Sequence, residues 1–132
     1  MPAWLDKLWV LGGVSGGNTN DVWWSHDGAT WTFVTSAAMW TARKGAAFAV
    51  FGESMFMTGG PGKTDVWSSV DGEAWVIRTE AAAFADVSGT ATQRHEHCML
   101  EFLGKLWVVG GATDVAQNDV WVMDGHVAYN TP

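Results

Sequence analysis

The chain has 132 residues, 48% of them apolar, with ten tryptophans, sixteen glycines and three prolines. That length holds one domain with a real core and is short for two. Fourteen acids against seven bases give a net charge of −7, and the bases (Lys7, Arg43, Lys44, Lys63, Arg78, Arg94, Lys105) are scattered, which excludes the concentrated positive face of a nucleic-acid binder.

No apolar run is long enough to span a membrane as a helix, and no basic-then-apolar leader opens the sequence. The expectation is a protein with no membrane partner, cytoplasmic if this chain is complete. One cysteine, Cys98, excludes an internal disulfide. Large flat side chains set between many glycines predict short strands, so the fold class is all-β.

In chain order, the first strand is short, Met1 to Trp4, and the next, LWVL (Leu8 to Leu11), ends at Gly12-Gly13. A third strand carries Asp21-Val-Trp23, and the stretch SHDGATW, Ser25 to Trp31, turns into a fourth. The pattern then begins again. AAFAVF (Ala46 to Phe51) and a strand containing MFMT precede Gly59-Gly60; Asp65-Val-Trp67 follows, then SVDGEAW, Ser69 to Trp75. A third copy runs through HCMLEF (His97 to Phe102), LWVV before Gly110-Gly111, and Asp119-Val-Trp121. It ends at Asp124-Gly125, after which Tyr129 stands in for the missing tryptophan.

The Asp-Gly pair between third and fourth strands is a hairpin signal, because glycine takes positive φ freely and aspartate caps the turn through backbone N–H groups. The repeated stretch is therefore a turn staple, built again in each unit. Three units of four strands are predicted, at about 1–35, 43–79 and 94–132, within one partial domain covering 1–132. The first is truncated at its inner strand, which leaves roughly eleven strands.

A period of about fifty residues, a double glycine closing the second strand and an aromatic in the third resemble kelch repeats. The Arg94 to His97 approach to an inner strand is similar too, and the DVW…DG…W pattern is closest to bacterial galactose-oxidase-like propellers of kelch type. The resemblance implies β-propeller blades. Ser-x-Asp-Gly-x-x-Trp also resembles the sialidase Asp-box, with one residue fewer between Asp and Gly. In sialidases that box is a structural turn remote from catalysis.

Chemistry is sparse. RHEHC, Arg94 to Cys98, is the densest set of donors, and on a strand His95 and His97 would share one face. They are weak metal candidates, and the expected role of His97 is a hydrogen bond to nearby backbone. Tyr129 and Cys98, which is read as core-facing, lie in no context resembling the galactose oxidase copper site, so no cofactor is expected. GGVSGG (Gly12 to Gly17) lacks the lysine of a phosphate-binding P-loop. No nucleophile-and-base set assembles. The ligand candidates are Trp40, Arg43, Arg94 and His95, on the loops entering the inner strands, a channel rim in propellers. An exposed tryptophan beside arginine suits a sugar or carboxylate. The competing role for the two arginines is to tie adjacent blades, with Trp40 filling a gap between them.

The expected class is a non-catalytic binding or scaffold module with a carbohydrate or protein ligand. The alternative is a sugar-modifying enzyme or metal-dependent oxidoreductase of galactose-oxidase-like type, or a fragment of one. Three blades leave a bare apolar face at each end, and closed propellers hold four to eight. The expected partner is a second copy, the homodimer closing one six-bladed ring, with Val127 to Pro132 filling the seam.

Overall fold

The computed structural model describes residues 3–85, 93–124 and 127–130, of which 124 and 127–130 are described by their backbone. The chain is all-β, and no helix occurs among the described residues. Among the described residues twelve strands form three four-stranded antiparallel sheets, each a meander.

The first sheet holds β1 (Ala3–Trp4), β2 (Lys7–Val14), β3 (Asn18–Ser25) and β4 (Thr32–Thr35). The second holds β5 (Ala47–Phe51), β6 (Ser54–Thr58), β7 (Val66–Ser69) and β8 (Val76–Thr79). β9 (Cys98–Phe102), β10 (Lys105–Val109), β11 (Val120–Asp124) and β12 (Val127–Asn130) complete the third. Among the described residues β1 pairs with β2 at two residues, where β5 and β9 each pair across five.

Register makes the three sheets superimposable by position. Ala3 and Trp4 oppose Leu8 and Lys7 as Val50 and Phe51 oppose Met55 and Ser54. Trp9, Phe56 and Trp107 therefore stand at one place, and Leu8, Met55 and Leu106 at the next. Alternation along a strand sends these two sets to opposite faces. Trp9 and Leu11 of the first sheet meet Met55 and Met57 of the second. Ala47, Ala49 and Val66 on the second sheet's other face meet Met99, Leu106 and Val108 of the third. The core is thus two layers between three stacked sheets.

The hairpins at β1–β2 and β9–β10 place leucine in the left-handed region, with Leu5 at φ 53° and Leu103 at φ 53°. A two-residue turn of this hand matches the strand twist, and the leucines are strained to make it.

Candidate functional site

Each repeated aspartate begins its site as a strand anchor. Asp21 Oδ2 accepts the indole N–H of Trp23 at 2.7 Å, Asp65 Oδ2 that of Trp67 at 2.7 Å, and Asp119 Oδ2 that of Trp121 at 2.6 Å. Residues two apart on a strand share a face, which explains the Asp-Val-Trp spelling. The sequence suggests these aspartates as strand anchors, and the structure supplies the partner, the indole two residues on.

Two of the three aspartates also hold an arginine. Arg43 grips Asp65 with both ends of its guanidinium, Nη1 to Oδ1 at 2.6 Å and Nη2 to Oδ2 at 2.8 Å. Its Nη1 also donates to the Gly59 carbonyl, and its Nε to Thr41. Arg94 repeats this on Asp119 at 2.8 and 2.6 Å, with Nη1 also donating to the Gly110 carbonyl and Nε to Phe84. The arginine backbone faces the previous sheet: its carbonyl accepts the N–H of Gly13 from Arg43 and of Gly60 from Arg94. One residue thus fastens two sheets. Burial alone would raise both carboxyls, but the arginine and tryptophan hydrogen bonds outweigh it and hold Asp65 and Asp119 below the usual carboxylate range.

These findings correct the expected rim site. Arg43 is 2% exposed and Arg94 0%, every guanidinium edge engaged by protein groups. Trp40 is fully buried rather than exposed, edge-on to Trp75 at 6.3 Å, between the first two sheets. His95 alone of the four is partly exposed, and its Nδ1 lies 3.0 Å from the Gln93 carbonyl.

The metal pair is corrected as well. Glu96 lies at φ 54°, which breaks the extended run, so His95 and His97 do not alternate along one strand. β9 begins only at Cys98, whose side chain is exposed rather than core-facing. His97 is buried, and neither ring nitrogen has a hydrogen-bond partner among the described residues, so the expected backbone bond is not made. Burial pushes its imidazole down to about 4, with the nearby charges of Arg94 and His95 adding to the effect. Among the described residues no group of three or more His, Cys, Asp or Glu could hold a metal ion. His126, Gly125 and the tail at 131–132 lie outside the described residues, as do the side chains of 127–130.

The turn staple is built twice alike. The Ser25 hydroxyl donates to Asp27 Oδ1 at 3.0 Å and accepts the Gly28 N–H at 2.9 Å. Asp27 Oδ1 accepts the N–H groups of Ala29 and Thr30, and the Trp31 indole closes on the Gly28 carbonyl. Ser69, Asp71, Gly72 and Trp75 repeat every bond. The N–H groups of Thr30 and Ala29, then the Ser25 hydroxyl, lower the Asp27 carboxyl to about 2. The surroundings differ: Trp75 is buried against the first sheet, while Trp31 is half-exposed. Both are structural turns.

No family model and no curated protein matches this chain. Its fold is that of a solved structure, YjhT. The two superimpose with a TM-score of 0.67 at 16% identity, over 96% of this chain and 43% of that one. The chain therefore spans less than half the length of that neighbour.

Proposed function

We propose that the three sheets are kelch-like propeller blades and that the chain is a non-catalytic binding or scaffold module, with a carbohydrate or protein ligand. A second copy continues the array, two chains making one six-bladed ring. The carrying observation is that the two end faces are halves of an interface the molecule makes between its own sheets.

Trp9 and Trp107 occupy the same register position and make the same bond, indole N–H to the carbonyl of Trp4 or Phe102, at 3.0 and 2.9 Å. Trp9 is sealed by the second sheet, packed on the Gly72 turn. Trp107 is half-exposed, beside Leu100 at 38% exposed, Phe102 at 56% and Val109 at 37%. At the opposite end, the Gly28 turn matches the Gly72 turn, but a Cβ on Gly28 would meet only Leu8 Cδ1 at 3.6 Å where one on Gly72 would run into Trp9. The open third-sheet face has what the open first-sheet face lacks. Exposed apolar faces of this kind favour association, and closing the ring stops head-to-tail contacts from running into a fibre.

Light scattering on a sizing column tests the reading: twice the chain mass is expected, and a stable monomer of 14.3 kDa at micromolar concentration overturns the ring. A second reading, a portion of a longer propeller, draws on the 43% coverage of YjhT. In that case the chain needs its remaining blades to fold well alone.

A further inference from the structure

Among the described residues the ion pairs are two, Arg43–Asp65 and Arg94–Asp119. The repeat supplies three aspartates. Asp21 holds the same place in β3 that Asp65 and Asp119 hold beside β7 and β11, one residue before the valine that opposes Leu11, Thr58 or Val109. Its Oδ2 carries the same tryptophan bond, and Gly12 stands in register with Gly59 and Gly110, whose carbonyls take the second guanidinium bond. Asp21 also takes hydrogen bonds from the Thr19 side chain and from its own backbone N–H. Arg43 and Arg94 lie four residues ahead of the first paired residue of β5 and β9. The corresponding position ahead of β1 lies outside this sequence.

We infer that the Asp21 carboxylate is a docking site for an arginine guanidinium carried on an extended peptide. The ligand class follows from the two occupied copies. Each takes both ends of a planar guanidinium on one carboxylate while the indole holds Oδ2 in place. A lysine ammonium offers a point charge with no such fork, so the site discriminates between the two cations. The inference does not rest on the ring. The guanidinium comes either from a segment joined ahead of Met1 or from a separate molecule.

The test uses the whole chain, labelled with nitrogen-15, and follows the indole N–H signal of Trp23. The probe is a capped peptide with the sequence of residues 41–48, added in trans, beside a version with lysine in place of its arginine. A second arm fuses residues 41–47 ahead of Met1, so that the arginine stands five residues before Met1 as Arg43 stands before Phe48. Saturable movement of the Trp23 signal is expected, while Trp67 and Trp121, whose aspartates are already occupied, stay put. The lysine peptide should bind about tenfold more weakly, and Asp21→Asn should abolish the response. A response in trans identifies a separate molecule as a competent source; one seen only in the fusion identifies upstream chain. No Trp23 response in either arm, or equal binding of the lysine peptide to the unmutated protein, overturns the inference. Mass measured on the same samples reports the ring separately.

Discussion

At residue 97 an imidazole sits between the second and third sheets with both nitrogens unpartnered among the described residues. Its Cε1 lies 2.3 Å from where a Cβ on Gly59 would stand, so the ring is wedged against bare backbone. A neutral ring tolerates this; a charged one does not. The folded pKa of about 4 lies below the ordinary 6.5, so between these values the unfolded chain binds the proton and the folded chain does not. Stability therefore rises with pH through this window and is lost as pH falls from about 6.5 towards 4, by about 3 kcal/mol at roughly 1.4 kcal/mol per pKa unit. In His97→Leu, the urea midpoint relative to that of the unmutated protein should rise steadily as pH drops across this window. Parallel pH profiles for the two proteins would contradict the assignment. The turn staple gives a second residue-scale test. Ser69→Ala leaves the N–H groups of Asp71 and Gly72 without their acceptor in a buried place, a cost of about 1–3 kcal/mol. Gly72→Ala should cost more, because φ is 82° and the new methyl would lie 2.3 Å from Cη2 of Trp9. Denaturant unfolding measures both; a Gly72→Ala protein as stable as Ser69→Ala would show that Trp9 yields freely.

At the scale of elements, what joins sheet to sheet is a buried charge pair set among carbonyls. The Arg94 side chain is wholly buried and that of Asp119 is 20% exposed, so the partners are not equivalent. Asp119→Leu strands a buried cation, and the expected cost is about 3–5 kcal/mol. Arg94→Met leaves a carboxylate that water reaches and the Phe84 and Gly110 carbonyls unpaired, and should cost less. The double replacement should cost clearly less than the sum, since neither charge is then orphaned. A double-mutant cycle in urea checks this, and strict additivity would mean the pair contributes nothing as a pair. The strands and staples were readable because they are local: alternation, Asp-Gly and the recurring Asp-Val-Trp each act over a few residues. Both roles of Arg43 and Arg94 could be written down from sequence, but choosing between them needs Asp65 and Asp119, which lie 22 and 25 residues further along the chain. The same holds for Trp40, whose two readings, rim contact and filler of a gap between blades, are separated only by Trp75 from another sheet. Cys98 and His95 were misplaced because a single left-handed residue, Glu96, shifts the alternation by one. The leucine turns at Leu5 and Leu103 carry no local signal at all, because leucine disfavours the conformation it adopts there.

At the scale of the whole molecule, the question is what covers the two ends of the stack. Cα register assigns Cys98, Leu100, Phe102, Trp107 and Val109 to the face of the third sheet that looks away from the second. In the second sheet the counterparts Ala47, Ala49, Phe51 and Phe56 pack on the next sheet, and the proposed ring has the exposed set pack on a second copy in the same way. If a second copy seals it, a charge placed there must be desolvated on assembly, whereas the same charge on an outer strand stays in water. Leu100→Lys should therefore run at half the mass of the unmutated protein in light scattering. Val76→Lys, on β8 at a side chain 58% exposed, should leave the mass unchanged. Gly28→Ala refines the geometry. Within one chain its methyl meets nothing closer than Leu8 Cδ1 at 3.6 Å, so a monomer loses only the backbone cost of positive φ. Across the seam the same methyl would meet Trp107 of the second copy, as a methyl at Gly72 would meet Trp9. Its dimer dissociation constant should rise at least about tenfold, or about 1.4 kcal/mol, while the monomer stays folded. Unchanged mass in Leu100→Lys together with unchanged dissociation in Gly28→Ala would remove both faces from the assembly.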